Sequence, residues 1–226
     1  MKIDVLDKGY VRLVESMGND LSIVRSARVS FDADWREPDK SSDRKLLRYL
    51  IKHEHTSPFE AVEFTFEVKA PIFVLRQWHR HRSWSYNEVS ARYTELGVAE
   101  IECYVPDPKK VGVQSVSNRQ ARIINGTERA GAVVAYTKAI HDAGAAYRQL
   151  LDDGVPRELA RCVLPLATYS RMFAKVDLHN LLHFIRLRES PDAQYEIQQY
   201  AKALKAIART VVPITMEELD AEESKA

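Results

Sequence analysis

Side chains that bind phosphate and stack on heterocycles are concentrated between residues 76 and 93. This stretch holds four arginines and two histidines against one acid, Glu88. Each arginine presents a planar, permanently charged fork that matches phosphate oxygens, while Trp84, Tyr86 and Tyr93 offer flat faces for a ring. Serine hydroxyls and one amide between them add short donors and acceptors. The stretch therefore predicts a site for a phosphorylated aromatic ligand, which points to nucleotide chemistry.

Two other classes of protein could use the same residues. In a single-stranded nucleic-acid-binding module, the three aromatic rings would stack on bases while the arginines follow the phosphates. The formal net charge of +1, from 33 Lys and Arg against 32 Asp and Glu, argues against such a partner. A phosphate-ester hydrolase would need a metal, but His179 and His183 lack the glutamate that follows the first histidine in zinc hydrolases. We therefore expect neither a nucleic-acid partner nor a metal site.

The two cysteines, Cys103 and Cys162, indicate neither a zinc ribbon nor a disulfide framework because they have no CxxC spacing. Cys162 lies in an apolar, helix-forming stretch, and we expect a small buried group rather than a nucleophile. No apolar run approaches the roughly 18 residues of a membrane span, and the charged N-terminus has no apolar leader region. We expect a cytoplasmic protein that does not contact a membrane.

Period-two alternation gives the clearest structural signal. Apolar side chains alternate with polar ones across residues 62–68, which predicts a half-buried strand. Pro71 then suits the first turn of a helix that carries Phe73 and Trp78. The arginine-rich stretch thus begins at the end of a helix and continues into a loop, an arrangement typical of functional groups.

The rest of the chain predicts mainly helices. In chain order we expect two short strands within residues 3–16, a helix capped by Asp20, a loop at 32–43 and a helix from Ser42. These are followed by an irregular segment at 105–126, a long helix at 127–151, a strand at 166–176, and helices at 178–187 and 197–211. Because helices flank separate strand regions without β-α-β alternation, the predicted fold class is α+β: a small antiparallel or mixed sheet flanked by long helices. One domain is expected over residues 1–216, followed by an acidic, frayed tail at 217–226.

A series of short motifs, in order along the chain, resembles the flavin-dependent thymidylate synthases. Its centre is Arg80-His81-Arg82, followed after seven residues by Ser90. Further matching stretches are Ser85, Asn87, Arg92 and Tyr93 around that centre, and residues 27–31, 53–60, 154–161, 164–166 and 187–188. The series runs from near the N-terminus to about residue 213, and an ordered series is far more specific than one short motif.

The resemblance implies reductive methylation of dUMP to dTMP. The one-carbon unit would come from 5,10-methylenetetrahydrofolate, and FAD that has been reduced by NADPH would supply the hydride. No cysteine nucleophile is implied, so the pyrimidine would be activated by charges around its ring. The partners implied are these small molecules and further copies of the chain, in a homotetramer whose active sites are shared between subunits.

The resemblance also implies roles for individual residues. Arg188 is the expected catalytic residue, placed against the uracil ring where it favours the ionised N3 form. The residues implied to bind dUMP are Gln77, Trp78, His79, Arg80, Glu88, Val89, Ser90, Ala91, Arg92, Arg161 and Arg188. Those implied to bind FAD are Ser30, His55, Ser57, Arg80, His81, Arg82, Glu88, Asp177, His179 and His183. Asp177 replaces an expected asparagine, and a carboxylate cannot donate as an amide does unless it is protonated. Asp192 lies near a position where a histidine is expected.

Overall fold

An antiparallel sheet of five strands forms the centre of the fold. The computed structural model describes residues 1–30, 40–96 and 101–224. The strands are β1 (Lys2–Val5), β2 (Gly9–Met17), β3 (Glu63–Pro71), β4 (Ser85–Glu88) and β7 (Tyr169–Asp177), in the order β1-β2-β3-β7-β4. A separate hairpin is made of β5 (Val113–Gln114) and β6 (Arg122–Ile123). The predicted α+β class with a small antiparallel sheet is confirmed.

The described residues also contain eight helices. They are α1 (Asp20–Val29), α2 (Lys40–Lys52), α3 (Ile72–Trp78), α4 (Ala130–Asp152), α5 (Arg157–Ala160), α6 (Leu178–Glu189), α7 (Tyr195–Val211) and α8 (Pro213–Glu223). Short 3-10 turns lie at Ser57–Ala61, Pro108–Lys110 and Arg161–Val163. None of the helices that the structure describes combines the length and apolar character needed to cross a membrane.

The core lies between the sheet and the pair α6–α7. Along β3 the buried side chains alternate, with Phe64 and Phe66 fully covered, so the predicted period-two strand is confirmed. Trp78, at the end of α3, packs against Phe184 of α6 at 4.7 Å and Tyr200 of α7 at 5.9 Å between ring centroids. The ring of Trp78 therefore fixes the end of α3, where the motif begins, against the two long helices.

Asp20, the residue expected to cap α1, caps a different helix. Asn19, not Asp20, caps α1, with Ser22 completing a capping box. The Asp20 carboxylate instead accepts from the backbone N–H groups of Ile214 and Thr215 at 3.0 and 2.9 Å. It therefore caps the first turn of α8, nearly the whole chain length away.

The prediction of a frayed tail from residue 217 is wrong, because α8 continues to Glu223. Within that helix Glu218 is buried and accepts from Nε of Arg44 and Nε of Arg48, each at 2.6 Å. The acidic composition of the segment suggested exposure, but the two arginines of α2 compensate the buried charge. Local composition contains no signal for this pairing, since the two arginines lie 174 and 170 residues earlier in the chain.

Three other boundaries differ from the sequence prediction. The predicted loop at 32–43 lies mostly outside the described residues, and α2 begins at Lys40 rather than Ser42. The segment 105–126 is more ordered than expected, since it contains the β5–β6 hairpin. Residues 85–88 form an edge strand that pairs with β7, where a loop was expected.

Candidate active site

Arg188 lies near the C-terminal end of α6 and contacts the arginine-rich motif. Its Nε donates to Nε2 of His81 at 2.9 Å, and its Nη2 donates to the carbonyl of Gln77 at 3.3 Å. The side chain is half-buried, and this desolvation lowers the pKa of Arg188 from its ordinary value. A guanidinium still remains charged at neutral pH because its ordinary pKa is so high. The structure thus holds a fixed positive fork between two motifs that the resemblance assigned to one site.

The neighbouring imidazole of His81 is held neutral. The residue is 7% exposed, and its ring lies 4.6 Å from the ring of Phe184. Burial lowers the pKa of His81 to about 4, with further lowering from the charges of Arg188 and His183. Because Nε2 accepts from Arg188, the ring proton is assigned to Nδ1. A neutral His81 can therefore orient the guanidinium without repelling it.

Two aromatic residues predicted to stack on a ligand serve the fold instead. Trp84 is 5% exposed and packs edge-on against Trp78. The hydroxyl of Tyr86 donates to the carbonyls of Trp78 and His81 at 3.1 and 2.8 Å, which ties β4 to the preceding loop. Tyr93 is 82% exposed. The interpretation of these rings as a stacking surface is wrong for Trp84, and the Tyr86 hydroxyl is occupied by the backbone.

A cavity of about 740 Å³ opens beside Arg188, and we refer to it as the Arg188 cavity. It lies between the start of α7, the β5–β6 hairpin and the end of α3. Its lining includes five amide side chains, two guanidinium groups and one carboxylate: Gln77, Gln114, Gln120, Gln194, Gln198, Arg122, Arg188 and Asp192. Such a lining offers many donors and two positive charges, which suits an anionic, hydrogen-bonding ligand.

Most of this lining was not predicted from the sequence. Gln77 and Arg188 were predicted, whereas Arg122 and Gln194 were not. The side chains of Gln77 and Gln194 hydrogen-bond to each other and so join α3 to the start of α7. The polar composition of residues 105–126 was the available signal, but it indicated only an irregular segment.

A second cavity, of about 290 Å³, lies at the other end of α6, and we refer to it as the His179 cavity. His179 and His183 line it together with Thr56 and the apolar side chains of Leu50 and Phe59. The ring of His183 lies 5.9 Å from that of His81, which accepts the hydrogen bond from Arg188. The structure thus brings the predicted flavin residues of α6 next to the turn that follows His55.

Four of the residues predicted to bind dUMP form a separate group: Ser90, Ala91, Arg92 and Arg161. The backbone N–H of Arg92 donates to Oγ of Ser90 at 3.3 Å, and its guanidinium pairs with Glu158 at 3.2 Å. Arg161 donates through Nε to the carbonyl of Glu158 at 3.4 Å. Ala91 beside them is buried. Arg92 and Arg161 are therefore brought together around Glu158, but among the described residues they do not line the Arg188 cavity.

Several predicted residues have structural contacts that limit their availability. Trp78 is fully buried, which leaves only its backbone for a ligand. Asp177 caps α6, where its two oxygens accept from the backbone N–H of Asn180 at 2.9 Å and its side-chain amide at 2.6 Å. Asp177 thus serves as a helix cap, a role that the expected asparagine could also fill.

The remaining predicted residues are accessible to a ligand. His79 lies edge-on to Tyr86 at 4.8 Å and 4.0 Å from the Glu88 carboxylate. The exposed positions are Ser30, His55, Ser57, Arg80, Arg82, Glu88, Val89 and His183. Apart from Ser30, they lie on segments that also contribute side chains to one of the two cavities.

The expected burial of Cys162 is wrong. Its thiol is exposed and donates to the carbonyl of Glu158 at 3.5 Å, whereas Cys103 is buried 3.6 Å from the Thr168 hydroxyl. In the described part of the chain neither sulfur lines the Arg188 or the His179 cavity. The described residues also contain no group of three or more His, Cys, Asp or Glu side chains placed to hold a metal ion.

The chain is similar along most of its length to known proteins of one family. The family model described as thymidylate synthase complementing protein matches residues 12–214. A flavin-dependent thymidylate synthase of Thermotoga neapolitana is 48% identical over 217 residues, which cover 96% of this chain and 93% of the relative. One from Thermus thermophilus is 47% identical over 218 residues, covering 95% of this chain and 76% of the relative.

A solved structure has the same fold along nearly the whole chain. The crystal structure of a UMP/dUMP methylase, PolB from Streptomyces cacaoi, bound with 5-Br dUMP superposes with a TM-score of 0.86 at 39% identity, covering 97% of each chain. The same methylase bound with 5-Br UMP gives a TM-score of 0.84 at 37% identity, covering 97% of this chain and 96% of the other. The chain carries the ordered motifs, matches the family model over residues 12–214 and is 48% and 47% identical to the two relatives. It therefore belongs to the family of flavin-dependent thymidylate synthases.

Proposed function

We propose that this protein methylates dUMP reductively to dTMP, with 5,10-methylenetetrahydrofolate as the one-carbon donor. The observation that carries the proposal is the half-buried guanidinium of Arg188, held by neutral His81 and the Gln77 carbonyl at the edge of a large polar cavity. A fixed, partly desolvated positive charge is the group needed where negative charge develops on a pyrimidine. The names of the relatives support the same substrate class.

The chemical difficulty is that C5 of uracil is a weak nucleophile. A positive fork against the ring stabilises the negative charge of its ionised N3 form and carbonyl oxygens, which raises electron density at C5. Arg188 is the residue proposed for this role, and Gln77 adds a hydrogen-bonding side chain in the same cavity. Neither cysteine lines either of the two described cavities, so the proposed route uses no thiol.

FAD, reduced by NADPH, would supply the hydride that completes the methyl group. The described residues fit a flavin ring at the His179 cavity, because His179, His183 and Thr56 provide polar groups beside apolar walls. A cavity of about 290 Å³ suits a ring system rather than the whole dinucleotide. The exposed forks of Arg80 and Arg82 would bind its anionic part.

The nucleotide phosphate is assigned to Ser90, Ala91 and Arg92, and Arg161 to a contact with the base or sugar, as the resemblance implied. Since this group lies around Glu158 rather than at the Arg188 cavity, one dUMP would draw on two copies of the chain. We therefore propose a homotetramer with shared active sites. The exposed helix α4 supports this assembly, because of its 23 residues only Gly144 and Tyr147 are buried.

Purified protein under anaerobic conditions provides the test. FAD, NADPH, dUMP and methylenetetrahydrofolate are combined, each is omitted in turn, and dTMP is quantified by chromatography. We expect dTMP only in the complete mixture, and bleaching of the bound flavin by NADPH. Formation of dTMP without flavin, or a protein that binds neither FAD nor dUMP, would contradict the proposal. A parallel run with UMP measures whether the 2′-hydroxyl is accepted.

A further inference from the structure

A buried ion pair joins the β5–β6 hairpin to the start of α7. Glu196, in the first turn of α7, is 1% exposed, and its Oε1 accepts from Nη2 of Arg122 at 2.5 Å and from the Tyr104 hydroxyl at 3.0 Å. The guanidinium of Arg122 also lies over the Tyr195 ring, 5.6 Å from its centroid. A carboxylate this deeply buried requires a charged partner. The hairpin is therefore held to α7 by a charge pair whose carboxylate is buried.

The hairpin itself has a defined shape. Val113 pairs with Ile123 and Gln114 with Arg122. The Gln114 side chain closes the turn by donating to the carbonyls of Arg119 and Ala121, each at 3.1 Å. Because these hydrogen bonds hold the turn together, the hairpin behaves as one unit. A contact that holds Arg122 in place therefore also holds the rest of the hairpin.

This unit forms one wall of the Arg188 cavity. Gln114, Gln120 and Arg122 line the cavity from the hairpin, while Gln77 and Arg188 line it from α3 and α6. Resting on the function proposed above, we propose that Arg122 and Glu196 are positioning residues that hold the hairpin as a wall of the uridine-nucleotide site. Neither residue needs to take part in the chemical step. Their loss should therefore weaken nucleotide binding more than it slows turnover.

The test compares the FAD-loaded wild type with Arg122→Met. The dissociation constant for dUMP is measured by calorimetry, and KM and kcat are measured with saturating folate and NADPH. We expect both the dissociation constant and KM to rise about tenfold, as for coupled residues near a site, with kcat at saturation within about twofold of wild type. Arg122→Lys, which keeps the charge but not the fork, should give an intermediate value.

Two controls separate positioning from general damage. Arg119→Met removes a charge from the same hairpin at an exposed position that does not line the cavity, and it should bind dUMP as the wild type does. The double variant Arg122→Met/Glu196→Gln leaves no buried unpaired carboxylate, so it should fold even if the single variant does not. It should still bind dUMP about tenfold more weakly because the tie between hairpin and α7 remains broken.

Each outcome decides between a positioning role and its alternatives. Wild-type affinity in Arg122→Met, or in the double variant, would overturn the positioning role. A fall in kcat with KM unchanged would also overturn it, because the wall would then act on chemistry rather than on binding. If the wild type itself does not bind dUMP, the proposed function fails instead, whatever the variants do.

Discussion

At the scale of single residues, the central contact is the one between Arg188 and His81. An imidazole accepts a hydrogen bond at Nε2 only in its neutral form, and burial holds His81 in that form. The guanidinium is thereby fixed by a partner that does not cancel its charge, unlike the carboxylate partners of Arg92 or Arg122. Its full charge remains available to a ligand.

Replacing Arg188 should affect chemistry rather than the fold. In Arg188→Ala we expect dTMP formation to fall by about 10²–10³, the usual cost of one donor at a developing negative charge. FAD uptake and the melting temperature should remain near wild type because the side chain is only half-buried. Arg188→Lys serves as the matched variant: it keeps a charge but not the fork, and should recover only part of the rate. Normal turnover in Arg188→Ala would remove its catalytic role.

His81 predicts a specific dependence of stability on pH. Since its folded pKa of about 4 lies below the ordinary value of 6.5, the unfolded chain binds the proton more readily between these two values. The free energy of unfolding should therefore fall as pH drops through this window, by up to about 3 kcal/mol from this group. Urea unfolding of wild type and His81→Gln at about pH 7 and about pH 4.5 measures it. The variant should lose less stability; identical losses would contradict the assignment.

Sequence patterns predicted part of this residue-scale site. Arg188, His81 and Gln77 belong to motifs with distinctive residue types, and the structure brings them together. Trp84 was misassigned because an aromatic side chain suits a buried core as well as a ligand. Arg122 was missed because its proximity to Arg188 depends on how a hairpin packs on a distant helix, which no local pattern encodes.

At the scale of elements, the sequence predicts correctly those segments whose structure follows from the burial of one face. The alternation in β3 specified a strand because one face of the sheet is buried. The helix α8 was missed because its burial comes from partners in α2 and α1: Arg44 and Arg48 pair with Glu218, and Asp20 caps the first turn. Long-range compensation of this kind reverses what local composition suggests.

The contact between α2 and α8 predicts an effect on stability alone. Glu218→Ala removes the buried acceptor of two arginines and should lower the free energy of unfolding by about 1–3 kcal/mol. The neighbouring Glu217, which is exposed and pairs only with Arg44 among the described residues, provides the matched control. Glu217→Ala should cost less than about 0.5 kcal/mol. Equal losses in urea unfolding would mean that Glu218 does not hold α8 to α2.

At the scale of the whole molecule, two features support the proposed homotetramer. One is the exposed helix α4, and the other is the proposed sharing of each active site between two copies of the chain. Val134 lies on α4 with 69% of its surface exposed in the single chain. If α4 is covered by another copy, Val134→Glu places a charge in an apolar interface and should break the assembly. Sedimentation should show the wild type with the mass of four chains and the variant as a smaller species.

If the active site is shared between copies, dTMP formation should depend on the assembly. Because Arg92 and Arg161 would serve the Arg188 cavity of another copy, the dissociated variant should also lose dTMP formation. Ser224→Glu, an added charge at the exposed end of α8, is the control and should leave both mass and activity unchanged. A fully active single chain would contradict the shared site.

The proposed chemistry depends on activation of the pyrimidine by fixed charge rather than by a thiol. The most direct measurement is dTMP formation by the double variant Cys103→Ala/Cys162→Ala, loaded with FAD and supplied with NADPH and folate. Both sulfurs lie away from the two described cavities, so we predict a rate within about threefold of wild type. A correctly folded double variant that binds dUMP and FAD but forms no dTMP would contradict activation by charge alone.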